Sequence, residues 1–234
     1  MKGPTVTRNK KESRQDAGAP GKAGIPGSAG VPPASNNPSG STGVPPAKTL
    51  KGWYTRNRLP HCDAPGLIQA ITFRLADALP REVLQRIARL RDDADKRRQL
   101  EHWMDAGLGS CLLADPRCAG IVQQALRYHD GNKYRLLAWC VMPNHVHVLI
   151  EPAEGVPLAD ILHAWKSYTA KRINRLLGRS GRVWQREYYD RYIRNDHHLA
   201  AVIRYIHHNP VKAELAATPE AWRFSSARLR QGTS

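Results

Sequence analysis

Two histidines stand two positions apart in a stretch that otherwise predicts a buried strand. His145 and His147 lie within VMPNHVHVLIE, residues 141–151. Side chains alternate across a strand, so both imidazoles face one side while Val146 and Val148 face the other, towards the core. Two neighbouring imidazoles can bind one divalent metal. The same pattern also arises from two histidines on the solvent-facing side of a sheet, so the metal reading needs support from elsewhere in the chain.

A third ligand and a nucleophile are predicted on the last helix. Tyr205 and Asn209 are spaced i and i+4, so they lie one above the other beside the apolar stripe of that helix. The carbonyl oxygen of an asparagine suits a hard metal such as Mg²⁺ or Mn²⁺. Tyrosine can act as a covalent nucleophile, and a metal that polarises a phosphate oxygen helps such an attack. Taken singly, these residues are also explained as a half-buried tyrosine and a helix-ending asparagine before Pro210.

Other tyrosines compete for the role of nucleophile. Tyr168 lies on a basic helix, near its apolar edge, and is the strongest alternative to Tyr205. Three more tyrosines lie on or beside a predicted strand, without a metal-ligating partner at helical spacing, and we interpret them as sheet-packing or DNA-stacking residues: Tyr188, Tyr189 and Tyr192.

The composition favours an anionic partner. The chain has 234 residues, is 41% hydrophobic, and carries a formal net charge of +16. So large a positive charge, without a membrane-binding pattern, makes nucleic acid the leading partner. No apolar run is long enough to cross a bilayer, and no secretory signal is evident, so we expect a cytoplasmic protein. The four cysteines form no C-x-x-C pair and are expected to be reduced, although zinc binding by Cys111 and Cys118 stays an alternative.

The chain divides into a tail and one folded domain. Residues 1–50 contain no aromatic residue, and fourteen of the 34 residues from Ala17 to Leu50 are Gly or Pro. Such a segment cannot bury enough apolar surface to offset its chain entropy, so we predict a disordered basic tail. Residues 51–234 are predicted to form the folded domain.

The order of predicted elements in residues 51–234 indicates an α+β fold. Helical spacing of apolar residues alternates with short β-rich runs, and Pro143-Asn144 separates two strands that read as a hairpin. The result is a mainly antiparallel sheet in a ferredoxin-like sandwich with a C-terminal helix that bears Tyr205. The predicted elements are strands at 67–76, at KYRLLAWCVM, at HVHVLIEP and at 188–195, and helices from Pro80, near 116–128, near 157–177 and from Asp196 to just before Pro210.

The helix near 157–177 has a basic face. Apolar side chains recur along one side of it, and cationic residues occupy the other. We predict that this face binds DNA phosphates through Lys166, Lys171, Arg172 and Arg175.

The chain resembles the single-tyrosine HUH transposases, and within them the branch of REP-associated tyrosine transposases. The resemblance covers about residues 53–228, and P-N-H-V-H, Trp184-Gln185 and Y-I-x-x-N-P at 205–210 are its most specific features. The stretches that carry it are MPNHVHVLIE, WKSYTAKRINRLLG, VWQREYYDRYIRND and VIRYIHHNPVKAEL, followed by PEAWRFSSA.

The resemblance implies a site and an activity. By position, His145 and His147 match the paired metal histidines, Tyr205 the nucleophile, and Asn209 the polar third ligand. The family cuts single-stranded DNA at hairpin-flanked ends, leaves a 5′-phosphotyrosine link and uses Mg²⁺ or Mn²⁺. Some relatives exchange the tyrosine helix between subunits, so a homodimer stays open. The chain departs from the family in its long N-terminal tail and in the region 92–120.

Three functions therefore compete. The leading one is an enzyme that cleaves and rejoins single-stranded DNA. The second is a catalytically inactive DNA-binding protein derived from a transposase, although every proposed catalytic position is filled here. The third, a zinc-dependent hydrolase using the histidine pair and a cysteine, lacks an acidic general base at a motif-like spacing.

Overall fold

The computed structural model describes residues 52–56, 59–63 and 66–232. The predicted disordered tail, residues 1–50, lies outside the described residues. The strands are β1 Gly52–Arg56, β2 Leu59–Asp63, β3 Gln69–Arg74, β4 Tyr134–Val141, β5 His145–Pro152 and β6 Tyr189–Tyr192. The helices are α1 Arg81–Ala88, α2 Asp93–Asp105, α3 Pro116–Tyr128, α4 Leu158–Leu176 and α5 Asp196–Lys212, with 3₁₀ turns at Leu112–Ala114, Pro219–Ala221 and Ser226–Gly232.

Four strands form the central sheet in the order β4-β5-β3-β6, and every neighbouring pair is antiparallel. β1 and β2 pair with each other in a separate two-stranded ribbon. The first strand of the sheet thus lies between the third and the fourth, with helices in the two crossovers. This is the ferredoxin-like arrangement, so the predicted α+β fold class is confirmed.

Helices cover both faces of this sheet. α3 and α4 pack on the face that carries Val146 and Val148 and form the larger apolar core with them. α5 packs on the opposite face, against Ala138, Cys140 and Leu149. β5 is therefore buried along almost its whole length on both sides, which explains its run of apolar residues.

Two helix boundaries differ from the prediction. The helix expected to run on from Pro80 is divided into α1 and α2, and the Asp92 side chain accepts a hydrogen bond from the amide of Asp95 at 2.9 Å, which starts the second helix. The last helix begins at Asp196 as predicted, with the Asn195 side chain as its cap, but it continues through Pro210 to Lys212. Asn209 and Pro210 are both buried, so packing overrides the preference of a residue before proline for extended geometry.

Candidate active site

The two histidines are held on the sheet face beneath α5. β3 pairs with β5 in a register that sets Thr72 opposite His147 and Arg74 opposite His145. Both imidazoles are buried, with 0% and 2% exposure. The alternative of two histidines on a solvent-facing side is therefore excluded, because α5 and the end of α2 cover that face. The valine face is buried as predicted.

The inner nitrogens of the two rings face each other. Nε2 of His145 lies 3.0 Å from Nε2 of His147. The outer nitrogens have other partners: Nδ1 of His145 lies 2.7 Å from Oδ1 of Asn144, and Nδ1 of His147 lies 2.9 Å from Oγ1 of Thr72. Each ring is thus oriented from behind by a neighbouring side chain, as is usual for histidines that bind metals.

The hydrogen bonds of Asn144 fix the tautomer of His145. The Asn144 amide nitrogen donates to the carbonyls of Met104, at 3.1 Å, and Leu108, at 3.0 Å. Its oxygen must then accept, so His145 carries its proton on Nδ1 and turns an Nε2 lone pair towards His147. The Thr72 hydroxyl can accept from Nδ1 of His147 in the same way, which would leave both inner nitrogens as metal ligands.

α5 brings both predicted residues to His147. The Asn209 amide nitrogen lies 3.2 Å from Nε2 of His147, and the ring of Tyr205 packs edge-on against the same imidazole, with centroids 5.3 Å apart. Burial raises the pKa of the Tyr205 phenol well above its usual value, and the carboxylates of Glu101 and Asp105 raise it further. The phenol is therefore protonated in this arrangement.

Asp105, the last residue of α2, also reaches the site and was not found from the sequence. Its Oδ1 lies 3.9 Å from Nε2 of His145, and its Oδ2 lies 2.7 Å from Nζ of Lys212 on α5. Asp105 and His145 are far apart along the chain, and no motif spacing links them. Only the packing of α2 beside α5 could have revealed this residue.

The residues present fit a divalent cation. Asp105, His145 and His147 each offer a ligand atom, and these atoms lie within 4.8 Å of one another. Oδ1 of Asp105 and Oδ1 of Asn209 are buried without a hydrogen-bond partner among the described residues. Rotation of the Asn209 amide by half a turn exchanges its oxygen and nitrogen and would turn the oxygen towards His147. Such orphaned oxygens beside two imidazoles form a donor set that suits Mg²⁺ or Mn²⁺.

Both histidines are held neutral, as metal ligands must be. Burial lowers the pKa of His147 to about 3, and the positive charge of Lys212 lowers it too. The pKa of His145 is lowered well below its usual value by burial, by His147 and by Lys212. Neither Cys111 nor Cys118 belongs to the group of ligand residues that the described part of the chain brings together.

The basic face of α4 lies on the other side of the sheet from the histidines. Lys171, Arg172 and Arg175 are exposed there, as expected for residues that bind DNA. Lys166 differs from them, because its ammonium donates to the backbone carbonyls of Gln185 and Arg186 at 3.0 and 3.2 Å. We infer that Lys166 holds the segment before β6 in place, while the DNA-binding role of the other three stays a prediction.

The competing tyrosines lie in different environments. Tyr168 is 50% exposed on α4, across the sheet from the histidine pair, and Tyr188 is buried in the larger core. Tyr189 and Tyr192 lie on β6, at the sheet edge away from β5. Among the tyrosines in the described ranges, Tyr205 is the one whose ring contacts His147.

A curated protein is similar to part of this chain. A curated protein of Haemophilus influenzae, provisionally named a REP-associated tyrosine transposase, is 29% identical over 103 residues. The match covers 40% of this chain and 58% of that protein, so the chain spans little more than half the length of this relative. Among the described helices, none is both long and apolar enough to cross a membrane.

Two solved structures share low sequence identity with the chain. One is entitled "Structure of the REP associates tyrosine transposase bound to a REP hairpin"; it is 19% identical, with a TM-score of 0.49, and the match covers 73% of this chain and 82% of that one. The other is a chain from Deinococcus radiodurans provisionally described as a transposase; it is 16% identical, with a TM-score of 0.28, over 67% of this chain and 96% of that one.

A family model matches the segment of the chain that contains the histidine pair and the Tyr205 motif. Residues 116–209 match the family described as "Transposase IS200 like". This segment contains both histidines, Tyr205 and Asn209. The resemblance to the tyrosine transposases drawn from the sequence is thus confirmed, and residues 116–209 of this chain match the IS200-like transposase family.

Proposed function

We propose that this chain cleaves and rejoins single-stranded DNA at hairpin-containing ends, through a covalent 5′-phosphotyrosine at Tyr205. The observation that carries the proposal is the convergence of Tyr205 and Asn209, one turn apart on α5, on the imidazole of His147. The match of residues 116–209 to the IS200-like transposases supports a DNA-processing role. The net charge of +16 suits a polyanionic substrate. We assign the activity to residues 51–234.

We further propose that a divalent metal, Mg²⁺ or Mn²⁺, assists the reaction. His145, His147 and Asn209 would hold it, and the carboxylate of Asp105 would add a fourth ligand. A metal bound there would polarise an oxygen of the scissile phosphate and offset developing negative charge. The chain's own contribution is to keep both imidazoles neutral and correctly rotated through Asn144 and Thr72.

The protein residues account for the bonds made and broken. The Tyr205 oxygen attacks phosphorus, a phosphotyrosine bond forms, and the bond from phosphorus to the 3′-oxygen breaks. The 3′-oxygen leaves with a proton as a free hydroxyl, and the phenol gives up its own proton. Glu101 and Asp105 are the carboxylates whose charges act on Tyr205, so they are candidates to receive that proton. A later attack by a 3′-hydroxyl on the phosphotyrosine rejoins the strand and restores the phenol.

Access to the site requires a movement of α2. The histidines are buried, and the end of α2 touches them through Asp105 and through the carbonyl of Met104, which binds Asn144. α2 lies in the region that departs from the family pattern. We therefore propose that the DNA strand enters as the end of α2 moves away from β5.

The test is a covalent trap. The protein is incubated with Mn²⁺ and labelled single-stranded hairpin DNA from beside its own gene, and a denaturing gel is read for a protein–DNA adduct. Peptide mapping should place the modification on Tyr205. A modified peptide containing Tyr168, Tyr188 or Tyr189 would overturn the assignment of the nucleophile. Tight binding without any adduct would favour the inactive DNA-binding protein.

A further inference from the structure

Arg74 lies beside the histidine pair on the same face of the sheet. It ends β3, and the register of β3 with β5 sets it directly opposite His145. Residues directly opposite each other in an antiparallel pair point to the same face. Thr72, two residues earlier on β3, confirms that face, because its hydroxyl lies 2.9 Å from Nδ1 of His147.

The guanidinium of Arg74 is buried and has no acidic partner among the residues that the structure describes. The residue is 6% exposed, and its Nη1 has no hydrogen-bond partner in the described ranges. The ionisable group that acts on it is Tyr189, opposite Thr72 on β6, and burial raises the pKa of that phenol, so it is neutral. The carboxylate of Asp105 is paired with Lys212 instead. A guanidinium stays charged in proteins, so a positive charge that no described acidic group offsets lies on the same face of the sheet as the histidine pair.

Such a charge is unfavourable in the protein alone. A buried ion without a partner loses its hydration and gains nothing in return. Planar guanidinium groups pair with phosphate through two parallel hydrogen bonds, which would restore what burial removes. The ligand that fits Arg74 is therefore an oxyanion of phosphodiester type.

We propose that Arg74 binds a backbone phosphate of the DNA strand next to the histidine pair. This inference rests on the proposed function, since it takes the substrate to be single-stranded DNA. It adds a positioning contact that the sequence motifs do not contain. Tyr189, the neighbour of Arg74, packs against the small apolar cluster formed by α1, α2 and the turn before α1. Entry of the strand past α2 would bring a phosphate to Arg74.

The test measures binding in EDTA, so that cleavage plays no part. Fluorescence anisotropy is read with hairpin oligonucleotides in which one phosphate at a time is replaced by a neutral methylphosphonate. For the unchanged protein, we expect one linkage at which the replacement weakens binding about tenfold, the size typical of a hydrogen-bonded charge. Arg74→Met should weaken binding to natural DNA by a similar factor and should be indifferent to the replacement at that linkage.

Two further variants serve as comparisons. Arg74→Lys keeps the charge but loses the planar fork, so its affinity should fall between those of the unchanged protein and Arg74→Met. Arg117→Met removes an exposed arginine at the start of α3, on the other side of the sheet, and should retain the sensitivity of the unchanged protein. Arg74→Met should melt at an equal or higher temperature, because an unpaired buried charge is removed.

Several outcomes would overturn the inference. An Arg74→Met variant with the same methylphosphonate profile as the unchanged protein would remove the phosphate contact. A large fall in melting temperature for Arg74→Met and Arg74→Lys alike, with unchanged DNA affinity, would make Arg74 a structural residue. Stabilisation of the unchanged protein, but not of Arg74→Met, by millimolar inorganic phosphate, with no sensitive linkage in DNA, would assign the site to a free anion. If the unchanged protein formed no adduct at Tyr205 but still bound the methylphosphonate DNA more weakly at one linkage, cleavage would be refuted and the Arg74 contact would still hold.

Discussion

Nε2 of His145 lies 3.0 Å from Nε2 of His147, and the proton of His145 is fixed on its far nitrogen by Asn144. One inner nitrogen therefore carries a lone pair directed at the other ring. Two such lone pairs repel unless a proton or a metal ion lies between them. A third possible ligand, the anionic carboxylate of Asp105, lies 3.9 Å from the same nitrogen of His145. A cation bound between these groups would relieve the repulsion between the lone pairs.

Removal of either imidazole should abolish metal binding. We expect His145→Ala and His147→Ala to weaken Mn²⁺ binding by more than the roughly 10- to 100-fold that loss of a supporting residue brings, measured by titration calorimetry. His163→Ala, an exposed histidine on α4, is the matched control and should bind Mn²⁺ normally. Both site variants should also have a lower melting temperature, because each leaves a buried side chain, Asn144 or Thr72, without its hydrogen-bond partner. Unchanged Mn²⁺ affinity in either would refute the metal site.

Asn144 should support both the fold and the metal. Asn144→Ala removes donors to the carbonyls of Met104 and Leu108 and the acceptor for Nδ1 of His145. We expect a loss of about 2–3 kcal/mol in the free energy of unfolding and a fall in Mn²⁺ affinity of roughly tenfold. Asn174→Ala removes one exposed bond, to the carbonyl of Gly181, and serves as the comparison in denaturant titrations. Equal behaviour of the two variants would contradict the role given to Asn144.

Lys212 should compete with the metal for Asp105. Its ammonium lies 2.7 Å from Oδ2 of Asp105 and lowers the pKa of both histidines. Lys212→Met removes this charge and frees the carboxylate, so Mn²⁺ affinity should rise about threefold, in keeping with the small energy of an ion pair whose lysine is 58% exposed. Asp105→Asn should change the affinity in the opposite direction. Calorimetry on both variants tests the pair, and an unchanged Mn²⁺ affinity in Asp105→Asn would show that Asp105 is no ligand.

Local periodicity was enough to predict the elements that carry the site. The alternation of β5 separated His145 and His147 from the valines, and the helical spacing of α5 placed Tyr205 and Asn209 on one flank. The order of elements also predicted the α+β fold. These features depend on neighbours within one strand or helix, which the sequence shows directly.

The remaining features depend on packing between distant segments. Burial of the histidine face follows from α5 and α2 closing over it, whereas the alternation of β5 is equally compatible with a solvent-facing side. Asp105 and Arg74 join the site through helix packing and strand register, and neither is set by a motif. The hydrogen bonds from Lys166 to backbone carbonyls likewise depend on how the segment between α4 and β6 packs against α4. Helical spacing could predict only that Lys166 lies on the polar side.

The basic face of α4 should affect affinity rather than chemistry. Lys171 and Arg172 are exposed across the sheet from Tyr205, so they can contact DNA phosphates only away from the scissile bond. Their joint replacement by Ala should flatten the log-log dependence of DNA affinity on salt by about two units, since each phosphate contact releases counterions. The cleavage rate at saturating DNA should stay unchanged. An unchanged salt slope would assign the pair to a merely solvated surface.

Lys166→Ala separates structural from electrostatic roles on the same helix. Its loss should lower the melting temperature, because the carbonyls of Gln185 and Arg186 lose their donor, while the salt slope changes less than for the exposed pair. A Lys166→Ala variant with normal stability and a flatter dependence of DNA affinity on salt would show that Lys166 binds DNA.

Tyr205→Phe should separate DNA binding from cleavage. The Tyr205 hydroxyl is buried and makes no hydrogen bond of good geometry within the part of the chain described, so its removal should change the free energy of unfolding by less than about 1 kcal/mol. The ring remains against His147, and the proposed metal ligands are untouched. Hairpin DNA should bind about as tightly as to the unchanged protein, and Mn²⁺ affinity should be preserved. Cleavage and adduct should both disappear, because the attacking oxygen is gone and orientation cannot act without it.

Tyr168→Phe, which removes the exposed hydroxyl of the strongest competing tyrosine, is the matched control and should cleave normally. Cleavage by Tyr205→Phe together with its loss in Tyr168→Phe would show that the nucleophile lies on α4, on the other side of the sheet.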